Sequence, residues 1–132
     1  MIKIAQIGCG YWGPNLLRNF NTIESCEIIA VVEPNEERKR FLRHSFPQIK
    51  IYNDISVILN RADIDAIIIA TPAHLHFEQA KQALLTNKHV FVEKPMATSS
   101  AEVEELSEIA RTKGLTLMSG HTFLYNDAVR FI

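Results

Sequence analysis

An α/β fold with a doubly wound parallel sheet is predicted by three features of the sequence. Apolar runs at residues 28–32 and 66–70 are continuous rather than alternating, as in parallel strands covered on both faces, and a further apolar run lies at 2–7. Between the runs lie segments whose apolar residues recur at three- and four-residue steps, the stripe of a helix lying on a sheet. Gly8-Cys9-Gly10-Tyr11-Trp12-Gly13 follows the first run directly and opens the first helical segment. This alternation of strands and helices at crossover length specifies the order 3-2-1-4-5-6.

The glycine turn has a mechanism in that setting. The first glycine allows a sharp turn, the second lets backbone approach a pyrophosphate, and the third lets the helix pack closely on its strand. Unpaired N–H groups at a helix start attract the anion. Gly8, Gly10 and Gly13 are therefore candidate dinucleotide-binding positions. Leu16, Leu17, Phe20 and Ile23 form the apolar stripe of the helix that follows, and Pro14 falls in its first turn, where a missing N–H is harmless.

The second strand, residues 28–32, ends at Glu33. Glu33 stands 33 − 13 = 20 residues beyond the last glycine, the spacing at which such folds place an acid on the adenosine ribose. A carboxylate accepts from the 2′- and 3′-hydroxyls and repels a 2′-phosphate, which favours NAD over NADP. The bland alternative is a carboxylate flanking a helix before Pro34 and Asn35. Arg38, Lys39 and Arg40 read as a solvated helix face, with a 2′-phosphate site as the alternative.

Glu36 and Glu37 open a short helix to about residue 44, with Phe41 and Leu42 buried. A strand follows at 49–52. Asp54 caps a brief helix carrying Ile55, Ile58 and Leu59. The strand at 66–70 exits through Thr71-Pro72-Ala73-His74-Leu75-His76 into a helix with Phe77, Ala80 and Leu84 on one face, stopped at Asn87. The strand at 89–92 ends in Glu93-Lys94-Pro95. Ser99 and Glu102 form a capping box for a helix bearing Val103, Leu106 and Ala110, which Gly114 ends, and the sixth strand covers 115–118. His44 and His89 read as surface or strand-edge residues.

Composition narrows the partners. The chain has 132 residues, 47% hydrophobic and 22% charged, enough for one domain with a real core. Its 14 basic and 15 acidic side chains nearly cancel and form no long run of one sign, so composition gives no support for a nucleic acid or an anionic membrane as partner. A small molecule is expected. The first apolar strand is too short for a signal core or a spanning helix, so a cytoplasmic location is expected. Two cysteines, Cys9 and Cys26, lack the paired spacing of a zinc site, and no metal is expected. Cys9 reads as filler of the glycine turn rather than a reactive thiol.

In the predicted strand order the first and fourth strands are neighbours at the switch point. The glycine turn and the 71–76 loop then flank one crevice at the carboxyl edge, with the 93–95 loop beside them. Gly8 to Gly13, the acid after the second strand, Thr71-Pro72 with His76, and Glu93-Lys94-Pro95-Met96-Ala97 together resemble the N-terminal domain of the glucose-fructose oxidoreductase, inositol dehydrogenase and rhizopine catabolism (Gfo/Idh/MocA) family. The resemblance covers essentially the whole chain. In Tyr11 to Leu16 and Gly120 to Asn126 the chain looks most like members acting on nucleotide-linked amino sugars.

The resemblance implies NAD-dependent hydride transfer at a sugar, sugar-nucleotide or polyol hydroxyl. Tyr11 and Trp12 would offer backbone N–H groups to the pyrophosphate, while their side chains pack locally. Thr71, Pro72 and His76 would line the nicotinamide half, with no direct catalytic part for His76. Glu93 would contact the nicotinamide riboside region. Lys94 would polarise the oxygen on the reacting carbon as the catalytic residue, and a cis bond at Pro95 would aim it. His121 would face the cofactor, and Leu124 stands where many members carry an arginine.

Residues 1–120 are expected to form the dinucleotide-binding domain, and residues 121–132 the start of a connection to a C-terminal domain that shapes the substrate pocket and supports homo-oligomers. A helix capped at Asn126 or Asp127, with Val129, Phe131 and Ile132 as apolar positions, has just begun. The chain therefore reads as the cofactor half of a longer dehydrogenase, with little or no turnover by itself. The competing reading is a non-catalytic NAD(H)-sensing module on the same fold.

Overall fold

The computed structural model describes residues 1–130. Phe131 and Ile132, expected in the terminal helix, lie outside the described residues. Six strands, β1 (Ile2–Ile7), β2 (Cys26–Val32), β3 (Lys50–Tyr52), β4 (Ala66–Ile69), β5 (His89–Val92) and β6 (Leu117–Ser119), form one sheet in the order β3-β2-β1-β4-β5-β6. Every neighbouring pair is parallel. The predicted order is the observed one.

The continuous apolar runs have the cause the sequence suggests. In β4, Ile67 and Ile69 belong to the core on one face of the sheet and Ile68 to the core on the other, and all three are buried. Helices α1 (Gly13–Asn21) and α2 (Glu36–Ser45) cover one face through Leu16, Leu17 and Leu42. Helices α3 (Ile55–Leu59), α4 (His76–Leu85) and α5 (Ser100–Lys113) cover the other through Ile58, Ala80, Leu84, Leu106 and Ala110. A strand buried on both sides has no polar face to alternate with.

The helix ends follow local chemistry. Asn35 Oδ1 accepts from Arg38 N, Asp54 Oδ1 from Ser56 N and Ser99 Oγ from Glu102 N. Glu102 completes its box one residue further back than expected, on the backbone N–H of Thr98. Gly114 ends α5 at φ 65°, with Leu115 N donating to Ala110 O across the turn. That bond commits Leu115 to the helix stop, so β6 begins at Leu117, later than the sequence suggested. Asn87 stops α4 at φ 62°. Near the end, residues Thr122–Tyr125 make a 3-10 turn, and Asn126 Oδ1 accepts from Ala128 N at the start of α6 (Asp127–Arg130).

Three expectations about burial are corrected. Ile23 lies beyond α1 and is exposed, because Thr22 closes the helix with its N–H and hydroxyl on Asn19 O. Phe41 is exposed and meets Phe46 edge-on, and it is Phe46, past the end of α2, that enters the core. Lys39, read as solvated, is buried with its ammonium 2.8 Å from Glu36.

Leu106 sits at the centre of the α5 contact and is fully buried. Leu106→Ala should lower unfolding free energy by about 2–5 kcal/mol in urea titration, whereas Leu124→Ala, at an exposed position, should change it by less than about 0.5 kcal/mol. Equal effects would contradict this placement of the core.

Candidate functional site

The carboxyl ends of β1, β2, β4 and β5 open on one crevice of about 920 Å³. Gly8, Gly10, Tyr11, Trp12, Glu33, Thr71, Pro72, His76, Glu93 and Lys94 all line it. Gly13 is the predicted site residue set back from the wall, buried under the turn. The volume suits an extended organic ligand, at the upper end of ordinary pockets.

The glycine turn is built for close approach. Gly8 has φ 85°, and a Cβ there would lie 2.7 Å from Ala70 O, so any side chain would drive β1's exit into that of β4. At Gly13 a Cβ would meet Gly8 O at 3.2 Å and Gln6 Nε2 at 3.0 Å. Gln6 is the residue sequence reasoning missed. Fully buried within an apolar strand, it donates from Nε2 to Gly8 O at 2.8 Å and to Gly13 O at 3.3 Å, tying both ends of the turn. A lone amide inside a strand of Ile and Ala was the available signal, since a buried polar group must find partners.

Helix α1 starts without the side-chain cap that α2, α3 and α5 have and without the first-turn acid of α2 and α5. Its positive pole therefore faces the crevice unsatisfied by protein, which suits a phosphate. Cys9 does not compete as a nucleophile. Burial, with the Glu33 charge adding to it, pushes its thiol up to about 11 against a smaller opposing pull from Arg38.

Glu33 is 3% exposed and accepts from Cys9 N at 2.7 Å and from Asn35 N at 2.9 Å. The carboxylate thus ties the glycine turn to the start of α2 while still lining the crevice. Each oxygen keeps a second acceptor direction, so ribose hydroxyls can still be received. Arg38, expected on a solvated face, lies over the turn, its Nη1 2.9 Å from where a Gly10 Cβ would stand. It makes no ion pair among the described residues.

On the opposite wall Thr71 Oγ1 donates to Gln79 Oε1 at 2.6 Å. His76 is buried, with Nδ1 2.7 Å from Pro95 O and Nε2 2.7 Å from Thr71 O. The Lys94–Pro95 peptide bond is cis. Lys94 is exposed and lines the crevice. Beside it, Glu93 Oε1 is buried without a hydrogen-bond partner, against the position a Gly120 Cβ would occupy. Burial pushes the Glu93 carboxyl up, opposed by the Lys94 N–H and charge and by His76.

Two further expectations are corrected. Tyr11 is 94% exposed, so its side chain does not pack locally, while Trp12, 47% exposed, is only half covered. At the far end Gly120, Thr122 and Phe123 line the crevice rather than His121, since the 3-10 turn begins there and directs the chain past it.

A parallel sheet with a glycine turn, an unsatisfied helix pole and an acid at the switch point defines a dinucleotide-binding domain. Residues 2–121 match the GFO_IDH_MocA model, described as an oxidoreductase family with an NAD-binding Rossmann fold. The chain belongs to that family. It is 32% identical over 131 residues to 4-carboxy-2-hydroxymuconate-6-semialdehyde dehydrogenase of Sphingobium sp., covering 99% of this chain and 42% of that protein. Among solved structures, a 3-ketoreductase from Actinomadura kijaniata in complex with TDP-benzene and NADP matches with TM-score 0.88 and 30% identity, over 98% of this chain and 41% of the other. Scyllo-inositol dehydrogenase from Lactobacillus casei, with bound NAD(H) and scyllo-inositol, matches with TM-score 0.88 and 26% identity, over 99% and 39%. The chain thus spans about two fifths of the length of these relatives.

The burial of Glu93 has a measurable consequence. Its neutral form is favoured in the folded chain, so ionisation costs nothing below the ordinary glutamate value of 4.5 and costs stability as pH rises through the higher folded value. Glu93→Gln should therefore raise the melting temperature relative to the unsubstituted chain at about pH 7 and leave it unchanged near about pH 3. The same gain at both pH values would contradict the assigned cause.

Proposed function

We propose that this chain is the cofactor-binding half of a dehydrogenase that moves hydride between a nicotinamide and the carbon of a sugar, sugar-nucleotide or polyol hydroxyl. The observation that carries the reading is the meeting of the glycine turn, Glu33 and the Glu93-Lys94-Pro95 loop on one crevice. The described residues fit the cofactor. Gly8 and Gly10 clear its path, the start of α1 receives the pyrophosphate, and Glu33 accepts from the adenosine ribose. When bound, the nicotinamide supplies the hydride acceptor or donor.

Lys94, on the wall opposite the adenosine side, holds its ammonium toward the oxygen of the reacting carbon. There it stabilises negative charge that grows as a hydroxyl becomes alkoxide or a carbonyl is reduced. Glu93 borders the nicotinamide riboside. The substrate class follows the relatives whose structures hold TDP-benzene or scyllo-inositol. Assembly into homo-oligomers through further sequence, and a cytoplasmic location, complete the reading; among the described residues no helix is long and apolar enough to cross a membrane.

NAD is the cofactor favoured by the buried carboxylate at the ribose. A second reading has its own observation: Arg38 lies over Gly10 without an acidic partner among the described residues, within reach of a 2′-phosphate. Trp12, the single tryptophan, lines the crevice and reports binding directly. Quenching of its fluorescence should give an affinity for NADH about tenfold or more above that for NADPH. Equal or tighter NADPH binding, lost in Arg38→Ala, would assign the adenosine end to Arg38 instead of Glu33. Binding of neither would remove the proposed function. In the whole protein Lys94→Ala should lower turnover by about 10²–10³ with NADH affinity little changed; unchanged turnover would favour a sensor.

A further inference from the structure

His76 occupies the first position of α4 and is 1% exposed. Both of its ring nitrogens face peptide carbonyl oxygens, Pro95 O on Nδ1 and Thr71 O on Nε2, each at 2.7 Å. Carbonyl oxygens only accept. A neutral imidazole carries one N–H, so either tautomer would set a ring lone pair against a carbonyl lone pair at one of the two contacts, away from water. Both contacts are satisfied only when both nitrogens carry hydrogen.

The two carbonyls belong to different walls. Thr71 follows β4 and is held a second time, through its hydroxyl, by Gln79 of α4. Pro95 follows β5 and carries Lys94 directly before it, and its carbonyl has His76 as its hydrogen-bond partner. The ring therefore spans the gap between the turn after β4 and the turn after β5, beneath the part of the crevice that Thr71, Glu93 and Lys94 line.

We propose that His76 is a positioning residue: a buried imidazole set between a carbonyl of the Thr71 turn and a carbonyl of the Glu93-Lys94-Pro95 turn, which staples the two and fixes the spacing of the two walls around the nicotinamide. The inference rests on the cofactor reading above. It assigns His76 no contact with the reacting atoms. The adenosine and pyrophosphate ends, held by the glycine turn and Glu33, do not depend on the staple.

That separation supplies the test. ADP-ribose has the adenosine and pyrophosphate of NADH but no nicotinamide, so it reads the far end of the crevice alone. His76→Phe removes both hydrogen bonds and His76→Gln retains a donor able to serve one carbonyl. His76→Phe should weaken NADH about tenfold and His76→Gln by less, while ADP-ribose affinity stays within about twofold in both. Nitrogen-15 spectra of the unsubstituted chain, labelled in histidine, should show a ring N–H of His76 protected from exchange with water. They test the staple even if the phenylalanine variant fails to fold.

Equal weakening of NADH and ADP-ribose in His76→Gln would reduce His76 to a structural residue and overturn the proposal. Ring N–H hydrogens of His76 in free exchange with water in the unsubstituted chain, with both ligands still bound, would overturn the staple and leave the cofactor reading intact. Failure of the unsubstituted chain to bind either ligand would overturn the cofactor reading, and with it the positioning role.

Discussion

β1 lies between β2 and β4, and the chain leaves β1 and β4 toward opposite faces of the sheet, into α1 and α4. That divergence is the constraint on which the rest of the molecule depends. Two adjacent parallel strands whose following helices part company must leave a gap at their carboxyl ends, and no side chain is needed to create it. The apolar cores on the two faces hold the helices apart. Gly8 then settles how close the two exits come, because its missing side chain lets β1 turn against Ala70 O.

Around that gap the polar groups divide into those already satisfied and those left for a ligand. Gln6 through its Nε2, though not its partnerless Oε1, and Glu33 through both oxygens are bonded to backbone, so their first effect is to hold the turn in shape. The start of α1 and Glu93 Oε1 lack protein partners, and Lys94 is exposed. Groups of the first kind pre-organise a site; groups of the second kind give a ligand something to bind. Glu33 belongs to both, since a carboxylate bonded twice by backbone N–H groups retains lone pairs toward the crevice.

Much of this was legible in the sequence because the period of apolar residues and the glycine spacing depend on local chain geometry alone. Strand order, the two-sided core and the gathering of the motifs at one edge all follow from it. Side-chain direction did not. Tyr11 looks like a packing residue by type, yet a turn beyond the sheet edge leaves it exposed. Phe41 and Phe46 are equivalent by hydrophobicity, and the core takes the one beyond the helix end. Gln6 was hidden because an apolar run dominates the reading of any strand, and the partnership of His76 with Pro95 joins residues 19 apart in sequence.

The central claim is that the crevice at the β1–β4 divergence receives a nicotinamide dinucleotide. Backbone amide shifts recorded during titration of the nitrogen-15-labelled chain with NADH test it residue by residue. The account predicts that the largest changes fall on Gly10, Tyr11, Trp12, Thr71 and Lys94, on both sides of the gap. Shifts that gather at the amino edge of the sheet, around Lys88 and Asp65, or their absence at saturating NADH, would contradict it.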